Sequence, residues 1–388
     1  MRTIELFAGA GGLGIGVTLA GFSPSAVIER DRYCCDTIRE NQHSRNSSVN
    51  GWPLFEGDVR DFDFSDFQQE VDLVTGGPPC QPFSLGGRHK AHNDARDMFP
   101  EAVRAVRQTS PKAFIFENVK GLTRSAFSAY FEYIRLQLTY PECIAKPDEN
   151  WISHLNKLER HHTRGTFKGL SYNVVTRVLN AANYGVPQKR ERVFFVGFRN
   201  DLGLEWSFPE ASHSHAALAW DQVYGSYFER HRVPNKNRLV SSRTERAAQK
   251  LKDQPELKPW VTVRDALEGL PDPEHHPRKS AQWKNHKFQP GARSYPGHTG
   301  SPLDEPAKTL KAGVHGVPGG ENMLLRPDGS VRYFSVRESA RLQTFPDDYV
   351  FHGSWSETMR QLGNAVPVEL ASLLAHDIAF HLDGCFDE

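Results

Sequence analysis

One cysteine stands in an unusually rigid setting, the stretch GGPPCQPFS at residues 76–84. Two prolines before Cys80 restrict the backbone, and two glycines allow a ligand to approach the main chain closely. A thiol presented in this way is suited to nucleophilic attack, which depends on its thiolate form. Glu117, in the tripeptide ENV, supplies a carboxyl group that can act as an acid or a hydrogen-bond donor. We expect Cys80 and Glu117 to serve one site.

A nucleotide site is predicted near the N-terminus. The stretch GAGGLG at residues 9–14 satisfies G-x-G-x-x-G, and Glu29 lies twenty residues after its first glycine. This spacing is typical of a dinucleotide site, with glycines at the turn and a carboxylate on the ribose. The same residues would also hold an adenosyl group without a pyrophosphate, so both nucleotides stay open at this point.

Apolar segments at 3–7, 25–29, 71–77 and 112–119 alternate with helical patterns. This alternation predicts a parallel α/β sheet. Ligands bind outside the carboxyl ends of such strands. Because Phe7, Glu29, Asp58, Cys80 and Glu117 all follow strand-like segments, we expect them to converge on one site.

The composition changes after Arg199, and residues 205–330 are rich in Pro, Gly, His and basic residues. It predicts a second, smaller, mostly β or irregular domain. The last forty residues return to an amphipathic helical pattern, with Val368, Leu370, Leu373, Leu374 and Ile378 at helical spacing. We expect this helix to pack on the first domain, and residues 140–168 to form an insertion.

Charge distribution is more informative than the net charge, which is zero. Residues 230–252 contain eight Lys or Arg and one acid, and residues 278–311 contain seven and two. Two such runs, interleaved with aromatics, favour a surface that follows phosphates. The five cysteines form no C-x-x-C pair, so neither a disulfide framework nor a metal site is predicted. With no signal peptide and no membrane-length apolar run, we expect a cytoplasmic protein.

A thiol and a carboxyl group beside an adenosyl cofactor suggest one reaction. Carbon 5 of cytosine is too weak a nucleophile to accept a methyl group unaided. Attack of a Cys80 thiolate on carbon 6, with Glu117 protonating or hydrogen bonding to ring nitrogen 3, would make carbon 5 enamine-like. Exocyclic amines need no such thiol, so the cysteine indicates the target atom.

The chain resembles the DNA (cytosine-5) methyltransferases of prokaryotic restriction-modification systems along nearly its whole length. Eight motifs occur in family order: ELFAGAGGLG, IERD, GDVRDF, GGPPCQPFS, FENVKG, YGVPQKRERVFFVGFR, SVRESARLQTFPDDY and RQLGNAVP. The resemblance implies a Rossmann-like catalytic and cofactor-binding domain with a mixed, mostly parallel sheet at 1–204, completed by 356–388. It also implies a target-recognition domain with a hinge at 205–355. It also implies S-adenosyl-L-methionine as cofactor, S-adenosyl-L-homocysteine as product, and no metal.

The resemblance also assigns roles in cofactor binding. Phe7 should stack near the adenine, Glu29 should hold the ribose and Asp58 the adenine amino group, while Asn364 and Val366 close over the amino-acid end. The implied cofactor-binding set is Phe7, Ala8, Gly9, Gly11, Gly12, Leu13, Glu29, Arg30, Asp58, Val59, Pro79, Asn364, Ala365 and Val366.

The implied catalytic set is Cys80, Glu117, Arg190 and Arg192, with Arg192 touching the cytosine carbonyl oxygen and orienting Glu117. Its planar fork of donors suits that double contact better than a lysine would. Because a stacked base is out of reach, the loop after Cys80 should close over an extruded base. The implied DNA-binding residues are Ser84, Arg88, Lys90, Gln188 and Thr309.

Three alternatives remain at the level of sequence. A tRNA cytosine-5 methyltransferase would share the chemistry, but those enzymes have a short second domain. An NAD-dependent oxidoreductase would explain the glycine turn and leave PPCQ, ENV and QKRER without a role. A DNA-binding relative without activity disagrees with the intact Cys80, Glu117 and Arg192. We expect a monomer that acts on double-stranded DNA at the nucleoid, with a restriction endonuclease as its functional partner and no membrane contact.

Overall fold

The computed structural model describes residues 1–43, 48–79, 97–312 and 322–384. Its strands are β1 (Arg2–Leu6), β2 (Ser23–Glu29), β3 (Leu54–Glu56), β4 (Leu73–Gly76), β5 (Ala113–Val119), β6 (Tyr172–Asn180), β7 (Gln188–Lys189), β8 (Glu191–Arg199), β9 (His213–Ser214), β10 (Lys258–Pro259), β11 (Ser301–Pro302), β12 (Ala307–Lys308), β13 (Met323–Leu325) and β14 (Val331–Tyr333). Its helices are α1 (Gly12–Leu19), α2 (Arg32–Gln42), α3 (Phe99–Thr109), α4 (Ser128–Thr139), α5 (Trp151–Arg164), α6 (His215–Val223), α7 (Tyr227–Arg230), α8 (Ser242–Gln249), α9 (Val263–Ala266), α10 (Pro277–Ser280), α11 (Val336–Leu342), α12 (Trp355–Asn364) and α13 (Val368–Asp383).

The central sheet has seven strands in the order β3-β2-β1-β4-β5-β8-β6. The first five run parallel, whereas β8 runs antiparallel to both β5 and β6. The mixed, mostly parallel sheet predicted from the sequence is therefore confirmed. Each predicted strand of this sheet begins and ends within two residues of its expected bounds.

Alternate residues of the central strands enter two separate cores. Val74 of β4 and Phe114 of β5 belong to one core, while Leu73 and Ile115 belong to the other. Side chains of successive strand residues point to opposite faces, so a strand buried on both sides is apolar throughout. This burial explains why β4 and β5 read as continuous apolar runs.

The C-terminal segment forms two helices, α12 and α13, with Pro367 as the residue that precedes α13. α13 packs along α1 so closely that a Cβ on Gly16 would lie 2.5 Å from Cβ of Ala371. Of the apolar positions predicted to face the first domain, four are buried there: Val368, Leu370, Leu374 and Ile378. Leu373 is half-buried against the same core as Leu374. Among the described residues, Trp355–Asp383 is the one stretch with the length and apolar character of a membrane span, at a mean hydropathy of 1.2. The helix is interrupted before Pro367, and its second part packs on α1. This stretch is therefore part of the protein core.

Residues 205–355 combine very short strands and helices with long irregular stretches. One small core of this segment contains Val263, Leu310, Leu324, Phe334 and Leu342. The two ends of segment 205–355 pack against other cores. Trp206 belongs to the core beneath α13, and Phe345 belongs to the core around α1. The expected insertion at 140–168 carries α5, whose Leu155 and Leu158 are buried against the first core.

Candidate active site

A cavity of about 510 Å³ opens at the carboxyl ends of the parallel strands. Segments that are far apart in sequence share its wall. Residues expected at the site that line the cavity are Phe7, Ala8, Gly9, Gly12, Leu13, Glu29, Arg30, Asp58, Val59, Pro79, Glu117, Arg192, Asn364, Ala365 and Val366. The strand ends therefore bring the expected cofactor residues other than Gly11 together with Glu117 and Arg192, as the topology requires.

The glycine turn between β1 and α1 has a conformation that depends on its glycines. Gly9 and Gly11 have φ angles of 57° and 86°, in the left-handed region that favours glycine. Gly12 must lack a side chain for a different reason, because a Cβ there would lie 2.4 Å from the carbonyl oxygen of Val366. Phe7 also has a positive φ, 54°, which turns the chain out of β1 at the cavity.

Glu29 joins the two halves of the nucleotide site at the end of β2. Its Oε2 accepts a hydrogen bond of 2.7 Å from the Gly9 amide, and its Oε1 accepts bonds from the amides of Arg30 and Asp31. Main-chain donors therefore fix the orientation of the carboxylate. Oε2, which accepts only one bond from the described residues, has a further lone pair with which it can accept a hydroxyl of a bound ribose.

Two arginine side chains hold Asp58 in its ionised form. The Arg60 guanidinium donates to both carboxylate oxygens, and Nη1 of Arg30 lies 3.6 Å from Oδ2. The hydrogen bond from Arg60 is the main reason that the pKa of Asp58 falls to about 2. An ionised carboxylate at the rim of the cavity is suited to accept a hydrogen bond from an amino group.

Glu117 and Arg192 form an ion pair inside the cavity, with Nε of Arg192 2.8 Å from Oε1 of Glu117. Both side chains are largely buried, and they come from adjacent antiparallel strands in which Val119 pairs with Arg192. A diagonal cross-strand position lies within reach of a long side chain such as arginine. The sheet register therefore brings this carboxylate and this guanidinium into contact.

The main chain around Pro78 and Pro79 is held close to this pair. The side-chain amide of Asn118 donates to the Pro78 carbonyl at 2.9 Å, and the main-chain amide of Met98 donates to the Pro79 carbonyl at 3.0 Å. The first bond ties the end of β5 to the residues that lead to Cys80. Cys80 itself lies outside the described residues, as do Ser84, Arg88 and Lys90.

The model of the C-5 cytosine-specific DNA methylase family matches residues 1–139 and 149–379 of the chain. The chain belongs to the C-5 cytosine-specific DNA methylases. It is 32% identical to the type II methyltransferase M.PspPI of Psychrobacter sp. strain TA137, over 95% of this chain and 76% of that protein. It is 31% identical to the type II methyltransferase M.Eco47II of Escherichia coli, over 98% of this chain and 79% of that protein.

The crystal structure of a DNA modification methyltransferase encoded within an Escherichia coli prophage has the same fold. The two chains superpose with a TM-score of 0.61, cover 99% of each other and share 21% of their residues. The methylase described here is thus a DNA (cytosine-5) methyltransferase, and members of its family use S-adenosylmethionine.

The cavity of this methylase has the chemical character that an adenosyl amino acid requires. Apolar surface from Phe7, Ile28 and Val59 lies beside the carboxylates of Glu29 and Asp58. Among the residues that the structure describes, no group of three His, Cys, Asp or Glu side chains could hold a metal ion.

Gln188 and Thr309, which are expected to contact DNA, lie in two chain segments that contact each other. β12 pairs in parallel with β7, and the Thr309 hydroxyl donates to the Lys189 carbonyl at 2.7 Å. Gln188 is fully buried; its side chain accepts from the Leu310 amide and donates to the Leu342 carbonyl. Neither residue is part of the cavity wall.

Arg190, expected in the catalytic set, is 1% exposed and its guanidinium faces main-chain oxygens. Nη1 donates to the Leu310 carbonyl at 3.3 Å and Nη2 to the Gly363 carbonyl at 3.0 Å. Gly11 likewise lies behind the cavity wall, with Trp52 and Tyr349 as the neighbours nearest to its Cβ position.

Sequence reasoning missed several residues of the wall, among them Glu5, Asp31, Cys34 and Arg360. Arg360 donates to Asp31 at 2.8 Å and thereby joins α12 to the start of α2. Glu5 is 2% exposed and hydrogen bonded to the Thr75 hydroxyl. A signal for Glu5 was present in the sequence, because a carboxyl group inside the apolar strand TIELF needs a reason to be there.

Proposed function

We propose that this methylase transfers a methyl group from S-adenosyl-L-methionine to carbon 5 of a flipped cytosine in a short, specific sequence of double-stranded DNA. The observation that carries the proposal is the Glu117–Arg192 ion pair in the wall of the same cavity as Glu29 and Asp58. A base that enters beside this pair would meet an acid, a guanidinium and a cofactor at once. Pro79 in that wall precedes Cys80 directly.

The Cys80 thiolate is the proposed nucleophile. It attacks carbon 6 of cytosine, so that a sulfur–carbon bond forms and the carbon 5–carbon 6 π electrons move to carbon 5. Bound S-adenosylmethionine would supply an electrophilic methyl group that this carbon accepts. Loss of the proton from carbon 5 to water then restores the double bond and expels the Cys80 thiolate, and a proton that nitrogen 3 has taken returns to Glu117.

Glu117 and Arg192 act on the pyrimidine ring during these steps. The Glu117 carboxyl group protonates or hydrogen bonds to ring nitrogen 3, which draws electrons away from carbon 6 and favours thiolate attack. The Arg192 guanidinium donates to the carbonyl oxygen of the base while it holds Glu117 in place. The 2.8 Å ion pair and the burial of both side chains support this division of roles.

For the cofactor site we propose the roles that the wall residues favour. Phe7 stacks on the adenine, Glu29 binds the ribose hydroxyls, and Asp58 accepts from the adenine amino group. Ala8, Gly9, Gly11, Gly12 and Leu13 form the turn; Arg30, Val59 and Pro79 flank it; and Asn364, Ala365 and Val366 close the amino-acid end. The product, S-adenosyl-L-homocysteine, leaves from the same site.

The DNA is proposed to lie against residues 205–355, the target-recognition domain, with 1–204 and 356–388 as the catalytic domain. The separate small core of that segment and its basic runs support the division. Ser84, Arg88 and Lys90 would contact the substrate from the loop after Cys80, and Thr309 would lie near the extruded base. Gln188 and Arg190 would support this arrangement from behind.

We propose that the enzyme protects host DNA in a type II restriction-modification system, as the names of its relatives suggest. Its functional partner would be a restriction endonuclease for the same sequence. A monomer in the cytoplasm, acting at the nucleoid without a metal, completes the proposal.

The decisive experiment measures transfer from methyl-labelled S-adenosylmethionine to mixed genomic duplex DNA and, separately, to tRNA. Wild type is compared with Cys80→Ala and with Cys143→Ala, a control that removes another cysteine, buried in the first core. We expect label in DNA from wild type and the control but not from Cys80→Ala, and bisulfite sequencing then maps 5-methylcytosine to a short motif. Label in tRNA alone would replace the proposed substrate, and equal transfer by Cys80→Ala would refute the covalent mechanism.

A further inference from the structure

Arg190 is a buried cation whose partners are main-chain oxygens. Its guanidinium bridges the carbonyls of Leu310 and Gly363, and among the described residues its Nε has no hydrogen-bond partner. Burial without a carboxylate in contact lowers the pKa of Arg190 well below its ordinary value. Such a position costs stability, because a cation loses its hydration and gains only dipoles in return. Because the buried guanidinium of Arg190 costs stability, we expect it to serve a function through the contacts of its two acceptors.

The first of its two acceptors belongs to the segment that the proposed function brings to the DNA. Leu310 follows Thr309, and the strand formed by residues 307–308 pairs with β7. The Asn322 side chain accepts from the Lys311 amide and donates to the Lys311 carbonyl, both at 3.0 Å. These bonds hold residues 307–312 in one fixed path beside Arg190.

The second acceptor belongs to the cofactor wall. The Gly363 carbonyl lies in the last turn of α12, where carbonyls have no partner within the helix and carry the negative end of the helix dipole. Asn364, the next residue, lines the cavity. A guanidinium is suited to this place because its planar fork can serve two acceptors in different segments.

The two segments also touch each other directly at Gly363. A Cβ on this residue would lie 2.3 Å from the Ala312 amide nitrogen and 2.5 Å from the Lys311 carbonyl carbon. Only a glycine allows residues 311–312 to lie against the end of α12 at this distance. A displacement of either segment is therefore transmitted to the other.

We propose that Arg190 is a positioning residue, which holds the target-contacting segment 307–312 and the cofactor-contacting segment 364–366 in one arrangement, so that DNA and cofactor strengthen each other's binding. The inference rests on the proposed function, since it takes Thr309 as a DNA contact and Asn364 as a cofactor contact. The physical basis is that each ligand selects the same position of the junction, and such coupling is reciprocal. Arg190 acts through main-chain oxygens and need not touch the base.

The test measures the Kd of S-adenosyl-L-homocysteine by calorimetry, with and without a duplex that contains the motif mapped by bisulfite sequencing. A duplex of scrambled sequence serves as the reference. For wild type we expect the specific duplex to tighten binding at least about fivefold, the lower end of typical coupling. In Arg190→Lys, whose single ammonium cannot bridge both carbonyls, the ratio should fall to about one.

Two further variants separate positioning from a general loss of structure. Gly363→Ala should also remove the coupling, because its Cβ forces residues 311–312 away. Arg337→Lys is the matched control: Arg337 is fully buried and donates to the carbonyls of Lys284, Pro346 and Tyr349, none of which lies in the two segments. It should lower the melting temperature and keep the coupling.

Coupling retained in Arg190→Lys, or absent from wild type, would overturn the inference. The proposed function would survive either result, because methylation by the wild-type enzyme is measured on its own. If wild type does not methylate DNA, the proposed function fails first and the inference fails with it.

Discussion

Arg192 and Glu117 lie 2.8 Å apart at the Nε and Oε1 atoms, in a cavity wall that also contains the expected cofactor residues. The contact joins two adjacent antiparallel strands at the point where β5 ends. It places a carboxyl group and a guanidinium where both can reach one planar ring.

Replacing the carboxyl of Glu117 tests its role as acid. Glu117→Gln retains the size of the side chain but cannot give a proton to ring nitrogen 3, so we expect kcat to fall by roughly 10²-fold or more. Single-turnover transfer of labelled methyl groups would measure the loss. The control is Glu191→Gln, which removes an exposed ion pair with Lys120 next to the site and should leave turnover unchanged. Unchanged turnover in Glu117→Gln would exclude the proposed role.

The ion pair of Arg360 with Asp31 connects α12 to the start of α2 across the cavity. Both side chains are about one-third exposed, so we expect Arg360→Met to weaken S-adenosyl-L-homocysteine binding only two- to fivefold, roughly the value of a partly exposed pair. A double-mutant cycle with Asp31→Asn, read by calorimetry, would isolate the pair. Additive effects of the two substitutions would show that the pair does not hold the cavity.

This contribution should also depend on pH. Burial opposes ionisation of Asp31, but its hydrogen bonds from Arg360 and from the Cys34 amide hold its pKa below the ordinary value. A carboxyl with a lowered pKa stabilises the folded state above its ordinary pKa and loses that contribution as the pH falls. The difference in binding between wild type and Arg360→Met should therefore be constant near pH 7 and disappear in the acid range.

Glu5 predicts the opposite dependence on pH, a contribution to stability that is lost as the pH rises. Burial raises the pKa of Glu5 to about 8, although hydrogen bonds from the Thr75 hydroxyl and from the Gly14 amide partly oppose the shift. The folded state then binds a proton that the unfolded chain releases above its ordinary pKa of about 4.5, so stability falls as the pH rises between these values. Urea unfolding of wild type and Glu5→Gln at pH 5 and at pH 8 would measure the effect.

We expect Glu5→Gln to gain stability relative to wild type by about 1 kcal/mol or more on going from pH 5 to pH 8, because an amide has no charge to desolvate. A difference between the two proteins that is independent of pH would show that Glu5 ionises as readily in the folded state as in the unfolded chain.

The close packing of α1 on α13 predicts a strong effect of one methyl group. In Gly16→Ala the new Cβ would lie 2.6 Å from both the Ser372 amide nitrogen and the Val368 carbonyl oxygen, so the helices must separate. We expect a loss of about 1–3 kcal/mol in the free energy of unfolding, as for other overpacked cores. Gly384→Ala, at the end of α13, meets its nearest atom at 3.6 Å and should change stability by about 0.5 kcal/mol or less.

Much of the fold and of the cavity was predictable from residue patterns. Strands such as β5, apolar on both faces, and a glycine turn between a strand and a helix leave few arrangements of the chain. The positions of Glu29 and Glu117 followed, because carboxyl ends of parallel strands meet at one edge. The short helices of residues 205–330, such as α8, were not predicted, since SRTERAAQ is only eight residues long and mostly polar, with few apolar residues to mark a buried face.

The partners of Arg190 could not be predicted for a more basic reason. Both acceptors are main-chain carbonyls, at sequence separations of 120 and 173 residues, and every residue type carries such an oxygen. A side-chain pattern therefore contains no trace of the contact. Gly363 left a weak signal as the glycine of GNAVP, but its neighbours at residues 311–312 were visible only in the folded structure.

The cavity wall combines the beginning and the end of the chain, since Gly12 lies against Val366 and α1 lies along α13. During synthesis the ribosome delivers these parts in order, and a domain acquires its tertiary contacts only after the sequence that forms them has emerged. A nascent chain that lacks the final two helices has no complete pocket in which to hold a cofactor. The order of translation itself thus delays completion of this pocket until α12 and α13 have been made.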